Sequence, residues 1–259
     1  LFNGERLGTG SPPLVDIAVD PIDGTTLTAT GRSGALSVVA LAPRGAMVSP
    51  GKLVYMEKIA VGPDAVGHID INAPVAANLK AVAQAKHRDV DDLTVMILDR
   101  PRHGELIKQV REAGARIRLI LDGDVAAAVS TCIEDTGIDL LVGVGGSPEA
   151  VATACALKCL GGEIQCKYWP RDDNERQYAR DNGIDIDEVL CLEDLVNSDN
   201  VFFAATGITR GELLDGVQYD GRGARTSSIV MRSKSGTIRK IESNHRWDKL
   251  MRFSQIKFD

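Results

Sequence analysis

Apolar positions along this chain follow two rhythms. Near the start, short β-branched runs at 15–20, 35–42 and 54–61 are bounded by Pro, Gly and charged residues. They read as strands, the first two as antiparallel neighbours. Spacing between 73 and 85 is helical, with Asn72 placed as a cap and Pro74 in the first turn. From Asp92 onward the rhythm alternates. Strands are predicted at 93–98, 117–121, 140–144, 164–168 and 201–205. Between them fall helices at 103–112, 125–133 and 148–160 and a polar helical insert at 172–179. Gly114 and Gly161-Gly162 punctuate the first and third of these helices. Such alternation predicts a layered α/β unit with a largely parallel sheet. A closing hairpin is expected from 226–232 and 237–241 around Lys234-Ser235-Gly236. The change of rhythm puts the expected boundary near Val90, between a 1–89 α+β lobe and a 90–259 α/β lobe.

Composition narrows the class. At 259 residues, 44% hydrophobic and 25% charged, the chain is an ordinary globular protein long enough for one large domain or two lobes sharing a site. Aromatics are only 4%, so the core must be aliphatic. A net charge of -6 argues against nucleic acid as a partner. No apolar run reaches the roughly 20 residues that span a bilayer, so no membrane partner is expected. The five cysteines (Cys132, Cys155, Cys159, Cys166 and Cys191) include no C-x-x-C pair and read as buried thiols in a reducing compartment. The chain opens at Leu1 without Met, which fits a fragment, a partial record or a processed form.

Four polar motifs interrupt the apolar pattern. Asp20-Pro21-Ile22-Asp23-Gly24-Thr25 follows a strand, so two carboxylates converge where the chain leaves the sheet. A divalent cation would relieve their repulsion; a plain polar turn uses the same residue types. Gly24 allows close approach of a ligand, and the Thr25 hydroxyl can orient a water. Arg100-Pro101-Arg102-His103 sits at a strand's C-terminal end. It is either a stiff guanidinium fork for phosphate or a solvated basic loop. Asp122-Gly123-Asp124 can accept from sugar hydroxyls or cap the helix that follows. Gly145-Gly146-Ser147-Pro148-Glu149 opens a helix whose free N–H groups favour phosphate. On these residues alone, Glu149 reads as a complement to the helix dipole. Three of these motifs end successive strands, so one cleft is more economical than three unrelated loops. Their inventory suits hydrolysis of a polyol phosphate ester.

The first motif resembles the D-P-[IL]-D-G-T element of the lithium-sensitive and sugar phosphatase superfamily. The ordered series is more specific. It comprises Asp20-Pro21-Ile22-Asp23-Gly24-Thr25, the 55–63 segment Tyr-Met-Glu-Lys-Ile-Ala-Val-Gly-Pro, Arg100-Pro101-Arg102-His103, Asp122-Gly123-Asp124-Val125, Gly145-Gly146-Ser147-Pro148-Glu149 and Phe202-Phe203-Ala204-Ala205-Thr206-Gly207. From about Asn3 to near Glu242 it resembles class II fructose-1,6-bisphosphatase, the GlpX type.

That resemblance implies a layered αβαβα sugar-phosphatase fold, an intracellular, cytoplasmic enzyme and removal of the 1-phosphate of fructose 1,6-bisphosphate with Mn2+ or Mg2+. It maps metal ligands onto Asp20, Asp23 and Glu149. Substrate contacts map onto Asp23, Gly24, Thr25, Tyr55, Arg100, Pro101, Arg102, Asp122, Gly123, Asp124 and Gly146. Asp20, Asp23 and Thr25 are the expected catalytic groups, and His103 is expected to be structural or a weak phosphate contact. A homo-oligomer is implied too. Some family members carry Glu at position 23, one methylene longer. The family also has an upstream helical segment with a Gly-Glu-Gly-Glu-like motif and further acidic ligands, so the N-terminal lobe is expected to be incomplete here. Two other readings stand beside this one: a bifunctional fructose-1,6-/sedoheptulose-1,7-bisphosphatase and a non-catalytic sugar-phosphate-binding module.

Overall fold

A computed structural model of the protein describes residues 4–250 and Arg252; Leu1-Phe2-Asn3, where the resemblance begins, lies outside the described residues. In chain order the elements are β1 (Val15–Asp23), α1 (Thr25–Ala29), β2 (Leu36–Pro43), β3 (Tyr55–Val61), α2 (Val75–Ala85), β4 (Thr94–Leu98), α3 (Gly104–Glu112), β5 (Arg116–Ile120), α4 (Asp124–Ser130) and β6 (Leu140–Gly146). There follow α5 (Ser147–Leu160), β7 (Glu163–Tyr168), α6 (Asp173–Asp181), β8 (Leu190–Cys191), α7 (Leu192–Leu195), β9 (Phe202–Gly207), β10 (Gln218–Asp220), β11 (Gly223–Arg232), β12 (Thr237–Arg246) and α8 (Trp247–Leu250).

The strands form two six-stranded sheets. One is antiparallel throughout, in the order β1-β2-β9-β11-β10 with β12 also on β11. The other runs β5-β4-β6-β3-β7-β8. Its β4 pairs in parallel with β5 and β6, whereas β3 is antiparallel to both β6 and β7. The expected largely parallel sheet is therefore mixed, because an early strand inserts between two later ones. For the same reason the sheets do not divide at Val90: β3 joins the second sheet and β9–β12 return to the first. Non-local pairing of this kind leaves no trace in the local rhythm.

Helix α5 lies between the sheets. Its Ala150, Ala154, Cys155, Ala156 and Leu157 are wholly buried, in one core with Leu36, Val38 and Phe203 of the first sheet and Met56, Ala60 and Ile164 of the second. Burial all round its axis explains the apolar run through its middle, and the small Ala and Cys side chains let both sheets approach. Burying Leu157 alone contributes roughly 1.5–3 kcal/mol. On the far side of the second sheet, α2 and α3 cover Ile59, Val61, Val95 and Ile97. Strand β3 thus alternates, with Met56 and Ala60 turned to the inter-sheet core and Ile59 and Val61 to the outer helices. The outer face of β1 leaves Val15, Ile17 and Val19 exposed. The described residues build a β-α-β-α stack within a mixed α/β fold.

Local corrections are small and physical. Pro74, not Asn72, precedes the first residue of α2, and no side chain caps that helix. Asp172 does cap α6, accepting from Glu175 N at 2.9 Å. The thiols are unpaired, but Cys191 is exposed rather than buried. Burial pushes the Cys155 and Cys166 thiols up to about 12. No helix among the described residues is long and apolar enough to cross a membrane.

Candidate active site

The first motif owes its geometry to a bulge. Asp20 pairs with Val38 and Asp23 with Leu36, so two residues of β1, Pro21 and Ile22, oppose Ser37 alone. Pro21 has no N–H to give the ladder. Ile22 N instead bonds to Asp20 Oδ1 at 3.0 Å. In a regular strand, residues three apart face opposite sides. The extra residue reverses the phase, so Asp20 and Asp23 share the inward face. Gly24 then turns with φ of 99° and starts α1, where Thr25 sits.

Four other strand ends meet this turn. Strands β4, β5, β6 and β7 share one direction, and their C-terminal ends deliver Leu98 with Arg100 and Arg102, Asp122 with Asp124, Gly145 with Gly146 and Glu149, and Arg171. Because β3 runs the other way, its first residue Tyr55 pairs with Gly146 and arrives at the same edge. Together with Asp20, Asp23, Gly24 and Thr25 these residues line one cavity of about 570 Å³. Of the expected site residues, Pro101 and Gly123 do not line it. Pro101 opens the turn that carries Arg102, and Gly123 lines a neighbouring cavity behind α1.

The carboxylate side of the cavity is crowded. Asp23 is 3% exposed, and burial, then the charges of Asp124, Asp20 and Glu149, push its carboxyl well up. Burial foremost also raises Asp20 and Glu149. Glu149 Oε2 is buried without a hydrogen-bond partner. Backbone space is part of the design. A Cβ on Gly146 would overlap Glu149 Oε2, and one on Gly145 would overlap Asp124 Oδ2. Asp124 is not a cap: it lies in the first turn of α4 and pairs with buried Lys58 at 2.6 Å. Asp122 caps a different helix, accepting from Thr26 N at 3.1 Å at the start of α1. Thr25 Oγ1 stands 3.5 Å from the same oxygen.

Cationic groups line the same cavity. Arg102 Nη2 donates to Val144 O at 2.6 Å, and its guanidinium lies 5.2 Å from the Tyr55 ring centroid. Arg171 lies 5.7 Å from that centroid and is clamped by Glu175 at 2.5 Å. His103 is structural. It is buried, with Nδ1–H donating to Leu98 O at 2.7 Å and Nε2 accepting from Val144 N at 2.8 Å. Burial lowers its basicity, and the neutral ring ties the end of β4 to β6.

Sequence reading missed Lys58 and Arg171. Lys58 had a weak signal, a lysine at an inward position of an apolar strand; Arg171 sits in a polar stretch that gives no cue. Among the described residues, the acidic group whose ligand atoms all lie within 4.8 Å of one another is Asp89, Asp91 and Asp92, exposed and away from the cavity. Asp20, Asp23 and Glu149 share the cavity at wider spacing. Their hard oxygen donors, the orphaned Glu149 Oε2 and their mutual repulsion all fit a divalent cation.

The family model described as bacterial fructose-1,6-bisphosphatase, glpX-encoded, matches residues 1–245. A Haemophilus influenzae protein named fructose-1,6-bisphosphatase class 2 is 45% identical over 269 aligned residues, spanning 99% of this chain and 80% of that protein. The Escherichia coli K12 protein named fructose-1,6-bisphosphatase 1 class 2 is 43% identical over 262, spanning 96% of this chain and 78% of its own.

Proposed function

The chain belongs to the bacterial, glpX-encoded fructose-1,6-bisphosphatase family, and from that premise we propose that it hydrolyses the 1-phosphate ester of fructose 1,6-bisphosphate, yielding fructose 6-phosphate and inorganic phosphate. The observation that carries this reading is that one cavity is lined by both the carboxylates and the guanidinium groups. A sugar with a phosphate at each end needs both.

Arg100 and Arg102 take the distal 6-phosphate, with Arg171 beside them across Tyr55. Binding energy gained there positions the reacting end. Asp122 and Asp124 accept from sugar hydroxyls with the oxygens not already engaged. Asp20, Asp23 and Glu149 hold the metal, Mn2+ or Mg2+. When bound, such an ion supplies charge stabilisation to the phosphoryl and leaving oxygens. Thr25 directs its hydroxyl toward Asp122, which leaves its lone pairs to orient a water for in-line attack on phosphorus. No side chain becomes phosphorylated. The free thiols suit a cytoplasmic enzyme, and the resemblance implies a homo-oligomer.

The test is a phosphate-release screen of the protein with Mn2+ and with Mg2+. Substrates are fructose 1,6-bisphosphate, sedoheptulose 1,7-bisphosphate, fructose 6-phosphate and inositol monophosphate. The expected result is release from fructose 1,6-bisphosphate with fructose 6-phosphate as product. Comparable release from the monophosphates would overturn the two-ended reading. Binding of fructose 1,6-bisphosphate without release under either metal would mark a binding module.

A further inference from the structure

Lys58 is 2% exposed, and a buried lysine without compensation is rare. It lies on the face of β3 that also carries Met56 and Ala60, so strand alternation drives it into the space between the sheets. There its Nζ meets Asp124 Oδ2 at 2.6 Å beneath Gly145, whose missing Cβ makes the room. Burial alone would lower the basicity of this amine. The charges of Asp124 and Glu149 outweigh it and hold Lys58 protonated. A fixed cation therefore sits behind the carboxylates that line the cavity, inaccessible to substrate.

We infer that Lys58 is a positioning residue that locks Asp124 in place and offsets the negative charge of the Asp20, Asp23, Asp124 and Glu149 cluster, so setting how tightly Asp20, Asp23 and Glu149 hold a divalent cation. The inference rests on the metal reading above and goes beyond it. Asp124 has one oxygen held by Lys58, which leaves the other for the cavity. The cluster, relieved of part of its charge, binds the cation less tightly than four unopposed carboxylates would. Loss of a buried partner normally weakens a site. Loss of a buried cation from an acidic cluster does the reverse for a bound cation, and that inversion separates this role from a merely structural one.

The experiment measures Mn2+ affinity by titration calorimetry and by the electron paramagnetic resonance signal of free Mn2+, beside kcat and KM. Lys58→Met keeps the stem and removes the charge. The expected result is Mn2+ bound roughly tenfold more tightly, as the loss of one nearby charge at intermediate dielectric implies, with a raised KM for fructose 1,6-bisphosphate. Unchanged or weaker Mn2+ binding by a folded Lys58→Met protein would overturn the inference. Should that variant not fold, the comparison moves to Asp124→Asn with and without Lys58→Met, since removing both partners avoids stranding a buried charge. The double variant should then bind Mn2+ more tightly than Asp124→Asn alone, and equal or weaker binding overturns the inference. If the unmodified protein binds no Mn2+, the metal reading fails and takes this inference with it. If it binds while the variants do not differ, the inference fails alone.

Discussion

The two charged linings of the cavity, acidic and basic, are held by opposite means. On one, Asp20, Asp23, Asp124 and Glu149 come from three separate elements and lie partly or wholly buried, and burial with the neighbouring charges raises the affinity of Asp20, Asp23 and Glu149 for protons. Their geometry depends on a strand bulge, on two glycines and on Lys58 beneath. On the other, Arg102 and Arg171 flank one aromatic ring and are fixed individually, one by a backbone carbonyl and one by a buried glutamate. The carboxylate side is cooperative and poorly screened, the guanidinium side modular and wetter. Damage to the first should therefore strike turnover, and damage to the second should strike affinity.

The sharpest break in this comparison comes from Asp20→Asn. The amide keeps the shape and can still serve the bulge, but it removes one charge from a hard-cation site. Metal-dependent phosphate release is expected to fall by roughly a hundredfold or more, with circular dichroism unchanged. Near-normal turnover by the folded variant would return the motif to a plain polar turn.

Arg102→Ala probes the other side. Losing a charge-assisted contact costs roughly 1.5–3 kcal/mol, so KM should rise about tenfold to a hundredfold while kcat changes far less. An unchanged KM would remove the fork from the substrate site. Gly146→Ala tests whether space at the backbone matters on the carboxylate side. Its Cβ would displace Glu149, and overpacking of this kind costs about 1–3 kcal/mol. The expected signature is weaker Mn2+ binding by calorimetry and a melting point several degrees lower; intact Mn2+ affinity would separate Glu149 from the ion.

The smallest effect sought is on stability. In the metal-free protein, Asp20, Asp23 and Glu149 hold protons more strongly folded than unfolded. The folded state therefore binds more protons, and stability falls as pH rises from the ordinary carboxylate range through their raised values. Saturating Mn2+ should offset that fall, by about 2.7 kcal/mol at a hundred times its Kd. Thermal melts with chelator and with Mn2+ across this range check both signs. A chelated protein that gains stability with rising pH would contradict the crowding.

Much of this was legible along the chain because it is local. Apolar period and turn residues located β1, β2, the strand–helix alternation and the closing hairpin. Asp20-Pro21, Arg100-Pro101-Arg102 and Asp122-Gly123-Asp124 announce themselves because strand ends concentrate polar residues where backbone hydrogen bonding stops. Order along the chain also carried the family resemblance. Tertiary structure alone decided that β3 runs between β6 and β7, which sends Tyr55 to Gly146 and Lys58 under Gly145. It also decided that Asp122 caps α1 rather than its own helix, and that Arg171 closes on Tyr55. Each of these joins residues far apart in sequence, and such pairing is fixed by burial and register between elements, quantities to which no local pattern is sensitive.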